Sequence, residues 1–290
     1  MLVKIFCQID DFCKEFEKQF KKNVLTTGNN LRKRSFKLSL SEIMTISIFY
    51  HYSGYKTFKD YYEKQVLIHM TSDFKELVSY NRFLELRQSA LLPLIAFIQL
   101  NSMSKCTGIS FIDSFALNVS HPKRISSHKV FKGIAARGKT STGWFYGFKL
   151  HLIINENGEV ISLYVTPGNT ADNNEAVILK LTKNLFGKIF GDKGYMLNTK
   201  LFENLYFNGI HMVTKIRNNM KNKLMDVYDK IMLKKRGLIE SIGGILKESM
   251  SLEHSRHRSI FGLLFHVTTT LCAYNFKSNK PSILKKIIPA

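Results

Sequence analysis

The chain has 290 residues, room for one large domain or two ordinary ones, and its 44% hydrophobic and 22% charged content is normal for a globular core. Lys and Arg outnumber Asp and Glu 43 to 22, with a pI of about 9.8, so a polyanionic partner is favoured over an acidic or neutral one. The four cysteines, Cys7, Cys13, Cys106 and Cys272, have neither Cys-x-x-Cys nor zinc-knuckle spacing and read as free thiols of a reducing cytosol.

The first hundred residues read as helical. Lys4, Asp10 and Asp11 interrupt the apolar N-terminus, which argues against a signal peptide. Ile5, Ile9, Phe12, Phe16 and Phe20 recur at helical spacing. A polar stretch from Thr26 to Ser35 follows and carries the basic run Arg32-Lys33-Arg34. Ser39-Leu-Ser-Glu42 has capping-box spacing and opens a helix to about Tyr52, which Ser53-Gly54 ends. Tyr55–Leu67 and Arg82–Leu100 read as further helices. A small all-helical domain over residues 1–104 suits a reader of DNA ends, or equally a packing or dimerisation module.

From residue 105 the texture changes. Ile109–Phe115 reads as a strand and 117–143, polar and basic with Gly133, Gly138 and Gly143, as a long loop. Tyr146–Asn155 and Val160–Thr166 form a hairpin about the turn Glu156-Asn-Gly-Glu159. The pattern continues with a helix over Thr170–Leu185, a strand over Lys188–Asp192, a helix over Asn198–Phe207 and a strand over His211–Lys215. Helices over about Lys234–Ser249 and Ile260–Tyr274 complete it. The last is too short to span a bilayer and contains His266 and three threonines, so it reads as a buried helix, and no membrane partner is expected. Hairpin strands followed by alternating elements predict an α/β domain over 105–290 with a mixed five-stranded sheet and flanking helices. That order resembles the ribonuclease-H-like fold.

The charge is unevenly spread. From residue 101 onward there are 28 Lys and Arg against 12 Asp and Glu, and residues 114–155 hold seven bases and no acid. Three carboxylates stand out against this background. Asp113 closes the apolar run Gly108-Ile-Ser-Phe-Ile-Asp113, Asp192 ends the fourth predicted strand, and Glu240 lies on a late helix. Adjacent strands sit ~4.8 Å apart, so two aspartates at matching heights can share a cation, and a helix over that edge can add a third oxygen. At ~100° per residue, Arg236, Glu240, Gly243, Gly244 and Lys247 share one broad face of their helix, and Leu238, Ile239, Ile242, Ile245 and Leu246 the other. The adjacent glycines permit close approach of a neighbour or mark a kink.

Together these residues resemble bacterial insertion-sequence transposases with an Asp-Asp-Glu site, and among them the insertion-sequence nine-eighty-two family. The resemblance covers 109–278 and, loosely, the N-terminal region. Its motifs are Phe111-Ile-Asp-Ser114, Tyr146-Gly-Phe-Lys-Leu-His151, Thr166-Pro-Gly-Asn169 with Asp172, Gly191-Asp-Lys-Gly-Tyr195, and Arg236-x3-Glu240-x6-Lys247. The last has the spacing of the signature Tyr-x2-Arg-x3-Glu-x6-Lys, except that Leu233 takes the tyrosine position. The resemblance implies that Asp113, Asp192 and Glu240 are catalytic and hold two Mg²⁺ ions, for which Mn²⁺ would substitute. It implies that Arg236 and Lys247 touch DNA phosphates near the cut, with Lys193 beside Asp192. Lys149 and His151 alternate onto one strand face and line the same groove, or His151 is a hydrogen-bonded structural histidine. Trp144 stacks on a flipped base or is a core or rim aromatic. Lys221, Lys223, Lys230, Lys234 and Lys235 contact backbone phosphates. Asp172 and Glu175 read as helix-start residues in preference to catalytic ones. The expected activity is metal-dependent cleavage at transposon ends and strand transfer into target DNA, by a homodimer in the cytoplasmic nucleoid. The rivals are a related nuclease without strand transfer and an inactive DNA-binding descendant.

Overall fold

A computed structural model describes residues 1–26, 37–140, 143–215, 224–253 and 257–283. The basic run Arg32-Lys33-Arg34 and the lysines Lys221 and Lys223 lie outside the described residues. The chain divides into two units. One comprises Met1–Ser102, Ser249–Leu252 and Ile260–Phe276; the other comprises Met103–Glu248, Glu253–Ser259 and Lys277–Ala290.

The first unit is helical, with α1 (Leu2–Thr26), α2 (Leu40–Phe49), α3 (Phe58–Asp60), α4 (Leu67–His69), α5 (Tyr80–Leu86) and α6 (Leu91–Phe97). The capping box forms as its spacing implies: Ser39 Oγ accepts from the Glu42 N–H, and the Glu42 carboxylate accepts from the Ser39 N–H at 2.7 Å. The helical repeat of α1 buries Ile5, Ile9 and Phe12, and Phe12 meets Phe97 edge-on at 5.2 Å between ring centroids. The stretch Tyr80–Asn101 is long and apolar enough to cross a membrane by length and composition alone. In this unit it supplies the core residues Phe83, Leu86, Ala90, Leu94, Phe97 and Ile98.

The second unit is built on a six-stranded mixed sheet. Its strands are β1 (Ile109–Ser120), β2 (Ala136–Thr140), β3 (Gly143–Asn155), β4 (Val160–Pro167), β5 (Gly187–Gly191) and β6 (Ile210–Thr214). β3 runs antiparallel to β1 and to β4, while β5 is parallel to β1 and β6 to β5. This gives the order β4-β3-β1-β5-β6, the topology of a ribonuclease-H-like sheet. Two expectations are corrected. The sheet has six strands rather than five, because Ala136–Thr140 in the expected loop pairs with the start of β3 as a hairpin. Gly138 and Gly147 allow that hairpin to lie close: a Cβ on Gly147 would fall 2.0 Å from the Leu117 carbonyl oxygen, and one on Gly138 2.2 Å from that of Gly168. β1 also runs five residues past Phe115.

Strand alternation gives the sheet two faces. One carries Ile112, Ile153, Ile189 and Met212, packed with Val177, Ile178 and Leu181 of α7 (Glu175–Leu181) and with Leu201 and Leu205 of α8 (Thr199–Phe207). The opposite face carries Phe111 and Phe190, whose rings lie 5.7 Å apart, and is covered by α9 (Val227–Lys235) and α10 (Gly237–Gly244). α7 starts later than expected, at Glu175, with Asn174 as its cap.

The last helix, α11 (Ile260–Phe276), belongs to the helical unit, whereas the sequence reading assigns it to the 105–290 domain. It is apolar around most of its circumference, so it needs neighbours on all sides. Phe276 stacks on Phe97 at 6.0 Å, and the buried His51 bonds Thr269 Oγ1 at 2.9 Å.

Candidate functional site

The parallel pairing of β1 with β5 decides where the first two acids stand. Phe111 pairs with Phe190, the last pair of that ladder, and strand alternation continued two residues further puts Asp113 and Asp192 on the same sheet face. Asp192 follows β5 in extended conformation (φ −77°, ψ 174°), which preserves the alternation into the short turn Lys193–Tyr195. Asp192 is exposed and Lys193, at the head of the turn, is half-buried.

α10 crosses that same face. Arg236, at the break between α9 and α10, donates from Nη1 to Asp113 Oδ2 at 3.1 Å and from Nη2 to Glu240 Oε1 at 2.5 Å. A largely buried guanidinium thus bridges the first and third acids. Ser114 N–H donates to Asp113 Oδ1 at 2.8 Å. Burial pushes the Asp113 carboxyl up to about 6; the Ser114 N–H and Arg236 oppose the rise, and Glu240 adds to it. Gly243 and Gly244 prove unequal. A Cβ on Gly243 would lie 2.2 Å from the Phe115 ring of β1, whereas one on Gly244 would meet nothing within 4 Å. Gly243 therefore lets the Glu240 helix approach the Asp113 strand. Past Gly244 the helix widens into a π turn, Ile245–Ser249.

The remaining expected residues spread over several places. Lys247 pairs with Glu253 at 3.4 Å, and Glu253 also accepts from Asn118. Trp144 is 54% exposed on the β2–β3 hairpin, with the Arg137 guanidinium 4.5 Å and the Lys139 ammonium 5.6 Å from its ring centroid. It is not a core residue. Leu233, in the signature's tyrosine position, is buried on α9. Lys230 and Lys234 are exposed on that helix and Lys235 half-buried.

Lys149 and His151 correct the expectation of a shared groove. They point to the sheet face opposite Asp113, beside Ala116 and Ser114. His151 is fully buried and bonds Thr166 Oγ1 at 2.9 Å, so it presents no surface to DNA. Burial pushes its imidazole down to about 4, with Asp172 opposing and Lys149 adding to the fall. Lys149, largely buried, donates to the Thr170 carbonyl and to Asp172 Oδ1, both at 2.9 Å. Asp172 is outside α7 and is not a helix-start residue; it also accepts from Ser114 Oγ at 2.8 Å. Sequence reasoning missed this role, although Ser114 and Asp172 both sit in the motifs that carry the resemblance.

The carboxylate oxygens of Asp113, Asp192 and Glu240 are the donor type that hard divalent cations take, and Arg236 stands between Asp113 and Glu240. Among the described residues no three His, Cys, Asp or Glu side chains are grouped closely enough to hold a metal ion.

A ribonuclease-H-like sheet with Asp113 within β1 and Asp192 just past the parallel β5, in a chain of net charge +21, suits a protein that acts on nucleic acid. Residues 103–260, more than half of the chain, match the family described as "Transposase DDE domain", and the chain belongs to that family of DNA-cleaving transposases. No curated protein matches the sequence. Among solved structures, the Mos1 strand transfer complex is similar at 12% identity and a TM-score of 0.23, over 92% of this chain and 87% of that one.

Proposed function

We propose that the protein cleaves DNA at the ends of an insertion sequence and joins the freed 3′-hydroxyl to target DNA, with Asp113, Asp192 and Glu240 holding two divalent metal ions. The observation that carries the reading is the common face: alternation from the Phe111–Phe190 pair puts Asp113 and Asp192 on one side of the sheet, and Arg236 ties Glu240 to Asp113 there. Bound there, the ions would neutralise the phosphodiester and polarise the attacking and leaving oxygens. Arg236 keeps the acids together before loading and is placed to turn to a DNA phosphate when they bind cations instead. Lys193 continues the positive edge beside Asp192. The β2–β3 hairpin offers Trp144 between two cations as a stacking platform for a base. Lys247, and Lys230, Lys234 and Lys235 on α9, serve as backbone-phosphate contacts. The helical unit reads DNA ends, and two copies synapse them. The motif set, with Leu233 as its departure, supports reading the chain as a member of the insertion-sequence nine-eighty-two family.

The test is incubation of the full chain with Mn²⁺ or Mg²⁺ and the DNA that flanks its reading frame. Nicking followed by joining is expected from the wild type. Asp113→Asn, Asp192→Asn and Glu240→Gln should each bind that DNA and leave it uncut. Cleavage without joining indicates a nuclease, and cleavage that survives Asp113→Asn sinks the assignment of the site.

A further inference from the structure

The site leaves one charged group unexplained. Asp172 sits in the connection between β4 and α7, ahead of the Asn174 cap. Its Oδ1 accepts from Ser114 Oγ on β1 at 2.8 Å and from Lys149 Nζ on β3 at 2.9 Å. Its Oδ2 lies 3.4 Å from the point where a Cβ on Gly194 would stand, so the carboxylate also rests against the turn after β5. Lys149 holds the loop from its other side through the Thr170 carbonyl. One carboxylate therefore touches the strand that carries Asp113, the turn that follows Asp192 and the strand between β1 and β4.

A partly buried ion pair is weak evidence for stability, because desolvation offsets much of the attraction. What this pair does supply is geometry. Ser114 is the link: its N–H holds Asp113 Oδ1 on one sheet face while its Oγ is held by Asp172 on the other. We propose that Asp172 is a positioning residue that, through Ser114 and the Lys193–Tyr195 turn, holds Asp113 and Asp192 at the spacing their shared cation needs. The inference rests on the reading of those two aspartates as metal ligands.

The test measures Mn²⁺ binding to the full chain by the loss of the free ion's paramagnetic resonance signal, alongside metal-free thermal unfolding and cleavage. Asp172→Asn and Ser114→Ala should each weaken binding roughly 10-fold, within the range seen when a partner of a metal ligand is removed. The double variant should bind no more weakly than either single one, because both changes cut the same connection. Ser114→Thr keeps the hydroxyl and should restore binding, an outcome that a merely structural role would not select. If Asp172→Asn fails to fold, the two Ser114 variants carry the test alone. Binding within two-fold of wild type in folded Asp172→Asn or Ser114→Ala, or additive losses in the double variant, would overturn the inference. Wild-type protein that binds no Mn²⁺, or Asp113→Asn that binds it normally, would overturn the reading beneath, and this inference with it.

Discussion

The two adjacent glycines of α10 offer a controlled comparison. Ala is favoured over Gly in a helix interior by about 1 kcal/mol, so on propensity alone both substitutions stabilise. At Gly244 a Cβ meets nothing within 4 Å, and the gain stands. At Gly243 the same Cβ would lie 2.2, 2.7 and 2.9 Å from three atoms of the Phe115 ring, so the ring or the helix must move. Overpacking of this kind costs about 1–3 kcal/mol, which leaves Gly243→Ala between neutral and about 2 kcal/mol destabilised. The functional effect should be larger. Glu240 is on the same eight-residue helix, and a displacement of roughly 1 Å at a reacting centre can cost about 10²-fold in rate. Thermal unfolding of the metal-free protein, paired with end-DNA cleavage, should therefore find Gly244→Ala slightly more stable and equally active. Gly243→Ala should be about a hundred-fold slower, with stability unchanged or lower by up to about 2 kcal/mol. Phe115→Leu, which removes the obstructing ring, should recover part of that loss in the double variant. Gly243→Ala and Gly244→Ala behaving alike in both assays would refute the docking of α10 on β1.

Two further outcomes follow from side chains away from the three acids. Trp144→Ala should leave the unfolding temperature unchanged, because the ring is 54% exposed, while weakening end-DNA binding roughly 10-fold by the loss of one base–aromatic stack; unchanged affinity would remove Trp144 from the DNA track. His151 is buried with its imidazole held down at about 4, against an ordinary value of 6.5. The unfolded chain therefore binds more protons than the folded one between those values. His151 thus contributes about 3 kcal/mol that is present above pH 6.5 and lost as pH falls toward 4. His151→Asn should flatten that acid limb in metal-free unfolding and leave the salt dependence of DNA binding unchanged; a changed salt slope would mean that His151 does face DNA.

The hairpin strands and the Arg236–Glu240 pair were legible because each depends on a local pattern, whereas the sheet order came from the resemblance to the ribonuclease-H-like fold. Apolar alternation marks the strands of the hairpin, although β1 runs on past Asp113 to Ser120. The helical spacing from Arg236 to Glu240 puts a base and an acid one turn apart, and the structure joins them in a salt bridge. Elements without such a pattern were missed. β2 reads Ala-Arg-Gly-Lys-Thr, with no apolar alternation, and becomes a strand only because β3 extends back to Gly143 and offers its edge. α11 announced its burial through its composition, but an apolar helix does not say which neighbours bury it, and partners such as Phe97 and His51 precede it by more than 150 residues.

Asp172 shows the limit most clearly. Near a helix start, a lone Asp has a sufficient local explanation in the helix dipole, and nothing within ten residues contradicts it. Its actual partners, Ser114 and Lys149, are 58 and 23 residues away, on two strands whose adjacency comes only from the sheet order. Once that order is known, the alternation already read for Lys149 and His151 places both on the face of Ser114 and away from Asp113. The basic side chain expected to meet DNA is then within reach of an acid, and the pair becomes part of the frame that carries the site. A motif read along the chain thus identifies which residues matter together, while strand order decides which face each one serves.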